Sequence, residues 1–149
     1  AEIVFTIKEF RSVLRTTEER RDTPFVMHMG QDHELVRTEL KNGSPKLKIK
    51  RNPGPVKLNF KVVGESGESY QPVGIAFKLK EGGVHTPELT AALQRNFPFQ
   101  RQQVHHNSIC ATDLFAPESK GVEYEFSIIY QQEKDGDIGI IDPGVENDD

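Results

Sequence analysis

The chain has 149 residues, with 19 Lys and Arg against 23 Asp and Glu, for a formal net charge of −4. This length predicts one domain with a real hydrophobic core, and the acidic balance disfavours a nucleic-acid-binding surface, which usually carries a basic excess. No apolar run approaches the ~18 residues that span a bilayer. We therefore expect neither nucleic acid nor a membrane among its partners.

The single cysteine, Cys110, bears on the cellular compartment. It cannot form an internal disulfide, so the sequence does not require an oxidising environment. The first residues show no charged segment followed by an apolar stretch, as a secretion signal would. We expect a cytoplasmic location, and a signal already removed by processing would leave the same sequence.

Alternation of apolar and polar residues, which is typical of strands with one buried face, dominates the first half of the chain. Such runs occur at residues 3–7, 25–29, 46–50 and 56–62. The breaker at residues 52–55, Asn-Pro-Gly-Pro, predicts that the last two runs form a hairpin. Their lysines fit the solvent face of an edge strand, where they discourage aggregation, and a patch for anionic ligands is the alternative. The charged run at residues 18–22 is predicted to be a solvated loop.

The second half contains the one helix that we predict. Thr86 is a good N-cap, Pro87 suits the first turn, and Phe97-Pro98 ends the helix. The histidines are scattered, and the neighbouring His105 and His106 would point to opposite faces of a strand. The sequence therefore predicts no metal and no other cofactor.

Residues 122–130 form the most regular strand pattern. One face, predicted to be buried, carries Val122, Tyr124, Phe126, Ile128 and Tyr130. The dipeptide Asp135-Gly136 favours a tight hairpin turn, which would fold residues 137–142 back along this strand and place Asp142 opposite Ile129.

The spacing of these elements predicts the fold class. Eight or nine strands, one short helix and turn signals roughly every ten residues favour an all-β fold over an α/β fold. We expect a single-domain antiparallel β-sandwich over residues 1–149 with one short helix.

The Asp142–Pro143 bond is chemically the weakest in the sequence. An Asp side chain can reach its own carbonyl carbon through a five-membered ring, and the tertiary amide nitrogen of proline leaves more readily once protonated. Asp-Pro is also an ordinary way to end a strand in a turn. Because only a short acidic tail follows, residues 143–149 are a candidate for a cleaved C-terminal peptide whose removal would leave the core intact.

The C-terminal pattern of an alternating aromatic strand, an Asp-Gly turn, Ile-Gly-Ile-Ile-Asp-Pro and a few acidic residues resembles the small bacterial Asp-Pro endopeptidase (DP-EP) family. The quoted match lies within residues 122–149. The resemblance implies a β-sandwich that cuts itself at Asp142–Pro143 and keeps the released peptide as part of its sheet. The sequence offers no matched set of auxiliary catalytic residues upstream of this bond.

Two routes for such a cut remain open from the sequence. In the first, the Asp142 carboxylate attacks its own carbonyl carbon and forms a cyclic anhydride that water opens. In the second, paired carboxylates activate water. Ser127, a predicted diagonal neighbour of Asp142, could donate to the developing oxyanion or be an ordinary outward-facing residue. Glu125, two residues beyond Ser127, would lie ~13 Å from Asp142 along the strand at ~3.3 Å per residue.

The sequence therefore leads to two classes of function. The first is a self-cleaving, aspartic-type endopeptidase that hydrolyses its own Asp142–Pro143 bond. The second is a non-enzymatic interaction or ligand-binding β-sandwich with an acidic tail. In the first case the partners are its own C-terminal peptide and other copies by strand exchange, and a peptide anchored only by Val145 is expected to be retained weakly.

Overall fold

The computed structural model describes residues 1–13, 23–80, 82–83, 85–115 and 121–148. Among these residues, no helix is long and apolar enough to cross a membrane. The loop predicted at residues 18–22 lies outside the described part of the chain.

Strands dominate the described residues, and one α-helix and a single 3₁₀ turn at Phe99–Arg101 interrupt them. The elements are β1 Glu2–Ile7, β2 Phe25–Met29, β3 Val36–Lys41, β4 Ser44–Lys50, β5 Val56–Gly64, β6 Tyr70–Leu79, α1 Pro87–Asn96, β7 Gln103–Val104, β8 Ser108–Asp113, β9 Glu123–Gln132, β10 Ile138–Ile141 and β11 Gly144–Asp148.

The strands form two packed sheets, which confirms the predicted all-β sandwich. Sheet A has the order β2-β1-β5-β8-β7. In sheet B, β6 pairs with one side of β9, β10 and β11 follow each other along its other side, and β4 and β3 complete the sheet beyond β11. Most pairs are antiparallel, but β1 with β5 and β11 with β4 are parallel.

The core lies between the sheets and is built from the inward-facing residue of each alternating pair. The strand predicted at residues 122–130 behaves as expected, because its even-numbered residues from Tyr124 to Tyr130 are buried. The rings of Phe60 from sheet A and Phe126 from sheet B lie 5.2 Å apart. The side chains with no exposed surface include Ile3, Phe5, Leu47, Ile49, Leu58, Phe60, Phe126, Ile128, Ile141 and Val145.

The short helix also begins where the sequence predicts. The Thr86 side chain accepts a hydrogen bond from the backbone N–H of Leu89 at 3.1 Å, and Pro87 is the first residue of α1. The helix ends at Asn96, and Phe97 follows as its C-cap.

The predicted hairpin between residues 46–50 and 56–62 is wrong. The two strands, β4 and β5, belong to different sheets, and the Pro-Gly segment between them connects one sheet to the other. Both strands are amphipathic, and amphipathic alternation shows which face is buried without specifying the partner strand. β4 is also not an edge strand, since it lies between β3 and β11.

The acidic tail is an interior strand, which corrects the expectation that it could be removed without disturbing the core. β11 pairs with β9 on one side and with β4 on the other. Val145 and Asn147 point inward and have no exposed surface. The tail therefore completes sheet B.

Candidate functional site

The Asp142–Pro143 bond lies at the junction of β10 and β11. β10 pairs Ile140 with Ile129 and β11 pairs Gly144 with Glu125, so the two strands share one register along β9. This register places Asp142 opposite Ser127, two residues from the predicted position opposite Ile129. The difference arises in the turn, which is longer than the tight turn predicted, since the Gly136 N–H bonds the Gln132 carbonyl at 2.8 Å.

Ser127 contacts the Asp142 side chain directly. Its hydroxyl donates a hydrogen bond to Oδ1 of Asp142. The sequence predicted Ser127 as a donor to the main-chain oxyanion, whereas in the structure it bonds the side-chain carboxylate. A donor in this position orients the carboxylate that sits beside the scissile carbonyl.

Pro143 occupies a place where a strand rarely accepts proline. The Phe126 N–H donates to the Pro143 carbonyl at 2.9 Å, which is one half of a hydrogen-bonded antiparallel pair. The other half would need an N–H at residue 143, and proline has none. Proline is therefore normally excluded from interior strands. The ladder of hydrogen bonds that joins β9 to β10 and β11 therefore lacks one bond at the nitrogen of the scissile bond, between the end of β10 and the start of β11.

A cleft of about 530 Å³ opens beside this bond on the outer face of sheet B. Asp142 and Gly144 line it together with charged side chains from neighbouring strands. The charged lining residues are Lys41, Lys46, Lys78, Lys80, Glu123 and Glu125. Gly144 contributes no side chain to the middle of this row, which leaves space above the strand.

Lys46 is the most buried charge in the cleft, with a side chain only 7% exposed. Its ammonium contacts the carboxylates of Glu146 on β11, Glu123 on β9 at 3.4 Å and Glu39 on β3 at 3.5 Å. Burial by itself lowers the pKa of Lys46, but the hydrogen bonds and charges of Glu146 and Glu123 outweigh it and raise that pKa above its ordinary value. This lysine therefore remains charged and ties three strands to the one that it occupies.

The lysines of the cleft lower the pKa of Glu123. Hydrogen bonds from Lys41 and from Lys80, whose Nζ lies 2.7 Å away, and the charge of Lys46 lower the pKa of Glu123 to about 2. A carboxylate with this pKa holds no proton near neutral pH.

Glu125 lies closer to Asp142 than the sequence indicated. It is two residues from Ser127 on the same face of β9 and lines the same cleft as Asp142. Two residues along a strand span roughly 7 Å, whereas the register predicted from the sequence, with Asp142 opposite Ile129, gave ~13 Å. Lys78 neutralises Glu125 across the β6–β9 pair, with Nζ and Oε2 3.4 Å apart.

The sequence predicted Asp142, Pro143 and Ser127 as neighbours, with Asp142 two residues out of the observed register, and it missed the lysine and glutamate cluster around them. The signal for this cluster was present as the alternating Lys46 and Lys48 and the alternating Glu123 and Glu125. These charges line up only because β11 brings β4 beside β9, and that adjacency is a tertiary feature.

Within the described residues, no group of three or more His, Cys, Asp or Glu side chains is arranged to hold a metal ion. No protein-family model matches the chain, and neither a curated protein nor a solved structure is significantly similar to it.

Proposed function

We propose that this protein is a self-cleaving endopeptidase that hydrolyses its own Asp142–Pro143 bond. The observation that carries the proposal is an Asp-Pro bond in line with an interior strand, where proline costs a ladder hydrogen bond and the Asp carboxylate is held by Ser127. Departures from local structural rules of this kind concentrate at functional sites. The resemblance of the C-terminal pattern to the Asp-Pro endopeptidase family points to the same bond.

The reaction needs only groups that this chain contains and one water molecule. A carboxyl oxygen of Asp142 bonds to the carbonyl carbon of Asp142, and the bond from that carbon to the Pro143 nitrogen breaks. The nitrogen keeps the bonding electrons and takes a proton from the carboxyl group or from water. Water then opens the cyclic anhydride, which leaves two carboxyl groups on Asp142 and a secondary amine on Pro143.

Ser127 supports this intramolecular route because its hydroxyl fixes the orientation of the attacking carboxylate. Well-oriented intramolecular reactions lower the barrier by about 7–11 kcal/mol. The paired-carboxylate route requires two acids that share one proton. Glu123, with a pKa of about 2, is a poor partner for that arrangement, and Glu125 is paired with Lys78.

After the cut, the peptide 143–149 is proposed to remain in its place between β4 and β9. The weak retention expected from the sequence rests on one buried valine, whereas β11 has strand partners on both sides and also buries Asn147. A strand held in this way is also the segment that two copies could exchange by β-augmentation.

Intact-mass measurement of fresh and aged protein tests the proposal. Wild type is expected to lose mass at one bond and to yield a fragment that begins at Pro143. Asp142→Ala should show no cut, because the nucleophile is absent. Asp32→Ala, at an exposed position, is the matched control and should cut as wild type does.

Two further variants separate the routes. Asp142→Glu keeps the charge but lengthens the side chain, so the five-membered ring cannot form and cleavage should nearly stop. Ser127→Ala should slow cleavage roughly 10- to 100-fold, the value of one hydrogen bond to a charged group. Efficient cutting by Asp142→Glu would favour activated water over the anhydride. An uncut wild type would remove the peptidase proposal and leave the cleft as the site of the ligand-binding alternative.

A further inference from the structure

A polar pocket lies inside the sandwich at the far end of β11. It is formed by Asn96 at the end of α1, Asp113 at the end of β8 and Asn147 of β11, and none of the three has exposed surface. The Asn147 Nδ2 donates to Oδ1 of Asn96 at 2.9 Å and to Oδ1 of Asp113 at 3.3 Å. A single amide of the C-terminal strand thus joins the helix and both sheets.

The walls of this pocket are held independently of β11. The backbone N–H of Leu114 donates to the Asn96 carbonyl at 2.8 Å, and that of Phe115 donates to Oδ1 of Asp113 at 2.9 Å. Burying polar groups is costly unless they are hydrogen-bonded. A pocket of this kind therefore discriminates strongly between a polar and an apolar occupant.

The other inward-facing residues near the scissile bond discriminate poorly between registers. Pro143 and Val145 are both apolar, so a shift of β11 by two residues toward β10, with residues 142 and 143 looped out, would put one apolar side chain in the place of another at the core. The same shift would move Asn147 away from Asn96 and Asp113 and into the place of Val145 in the hydrophobic core. Among the inward-facing residues of β11, Asn147 is therefore the one whose burial distinguishes the observed register from the shifted one.

β10 has a separate means of fixing its register. Gly139 pairs with Tyr130, and a Cβ at position 139 would lie 2.5 Å from the Tyr130 ring. Any other residue shifted to this position would clash. Residues 142 and 143 are too few to span a longer gap, so β11 cannot move away from β10. Because the ladder lacks one hydrogen bond at Pro143, the register of β10 does not by itself prevent a shift of β11 toward it, and β11 requires a determinant of its own.

We infer that Asn147 is a positioning residue that sets the register of β11 by docking its amide on Asn96 and Asp113. In that register the Asp142–Pro143 bond lies against Ser127. The inference rests on the proposed function for its consequence for cleavage, but the register itself can be observed without any reaction. Buried amides that fix the register of paired chains have this role in coiled coils.

The experiment compares Asn147→Ala with Val145→Ala in the full chain. Both side chains are fully buried on the same strand, but only Asn147 contacts the polar pocket. The register of β11 is measured by NMR from the Hα–Hα contact between Gly144 and Glu125, which close non-hydrogen-bonded pairs show. The contact between Ile140 and Ile129 in β10 is the internal reference.

Asn147→Ala should lose the contact between Gly144 and Glu125 and keep the contact between Ile140 and Ile129. Val145→Ala should keep both. Intact-mass time courses should show cleavage in Asn147→Ala at least about tenfold slower than in Val145→Ala. Asn147→Val, which fills the place with an apolar side chain of higher strand propensity, should behave as the alanine variant. Concentrated sucrose keeps marginal variants folded.

The outcomes are distinct for the two proposals. Equal NMR contacts in the variants at positions 145 and 147 would overturn the register role, even if cleavage slowed. Loss of the Gly144–Glu125 contact in a protein whose wild type never cuts would support the register role and reject self-cleavage.

Discussion

The two halves of the C-terminal segment, β10 and β11, run along the same strand in one register but differ in what lies on their other side. β10 pairs only with β9 among the described strands, and the Val13 N–H bonds the Ile138 carbonyl on its outer side at 2.9 Å. β11 is enclosed between β9 and β4, and its Glu146 is bound by Lys46. The proposed cut separates these two halves.

The difference shows that the position of a strand along the chain does not predict how many neighbouring strands hold it in the sheet. The half that stays covalently attached after a cut, β10, has strand pairing on one side. The half that would become a free peptide, β11, has pairing on both sides and two buried side chains. The sheet therefore holds β11, the segment that a cut would free, more firmly than it holds β10.

The largest expected effect is complete retention of the cut peptide. Main-chain hydrogen bonds contribute about 0.5–1.5 kcal/mol each, and β11 makes them to two strands. Size-exclusion chromatography of cut protein, followed by mass measurement of the main peak, should find residues 143–149 co-eluting after dilution. A main peak that lacks the peptide would show that pairing on two sides does not hold β11.

The next effect concerns the pH dependence of the pocket that anchors β11. Burial outweighs the hydrogen bonds from Phe115, Asn147 and Asn96 and raises the pKa of Asp113 from 3.8 to about 7, and these contacting groups are neutral. Because the folded pKa is the higher one, the stability contributed by the neutral acid is fully present below pH 4 and is lost as pH rises to about 7.

Relative to Asp113→Asn, which does not titrate, wild type should lose roughly 4 kcal/mol of unfolding free energy between pH 4 and pH 7. Urea titrations of both proteins across this range measure the difference. Parallel stability curves would mean that Asp113 titrates normally and that the pocket is open to water.

The smallest expected change in stability lies at the junction of β10 and β11. Pro143→Ala supplies the N–H that the Phe126 carbonyl lacks from residue 143, so the uncut chain should gain about 1 kcal/mol of stability. Cleavage should slow strongly, because the alanine amide is a poorer leaving group than the tertiary amide. Denaturant midpoints test the gain in stability, and intact-mass time courses test the slower cleavage. A less stable variant would contradict the inference that Pro143 costs the sheet one hydrogen bond.

Structural features that depend on neighbouring residues in the chain were largely predictable from the sequence. The alternating pattern at residues 122–130 identified the buried face of β9, and the Thr86-Pro87 pair identified the start of α1, because both signals depend on neighbours in the chain. The turn at Asn42-Gly43 is of the same kind, since both residues adopt the positive φ angles, 53° and 79°, that a tight hairpin requires. The reactivity of the Asp142–Pro143 bond is likewise a property of two neighbouring residues.

The tertiary structure alone decided which strands are neighbours. Alternation shows that β4 has a buried face, but it does not show that β4 pairs with β11 and not with β5. The contact of Ser127 with the Asp142 carboxylate depended on the length of one turn, which changed the register by two residues. The burial of Asn147 depended on a helix and two sheets meeting at one point. Such pairings join residues far apart in the chain, so their energies depend on packing that no local pattern contains.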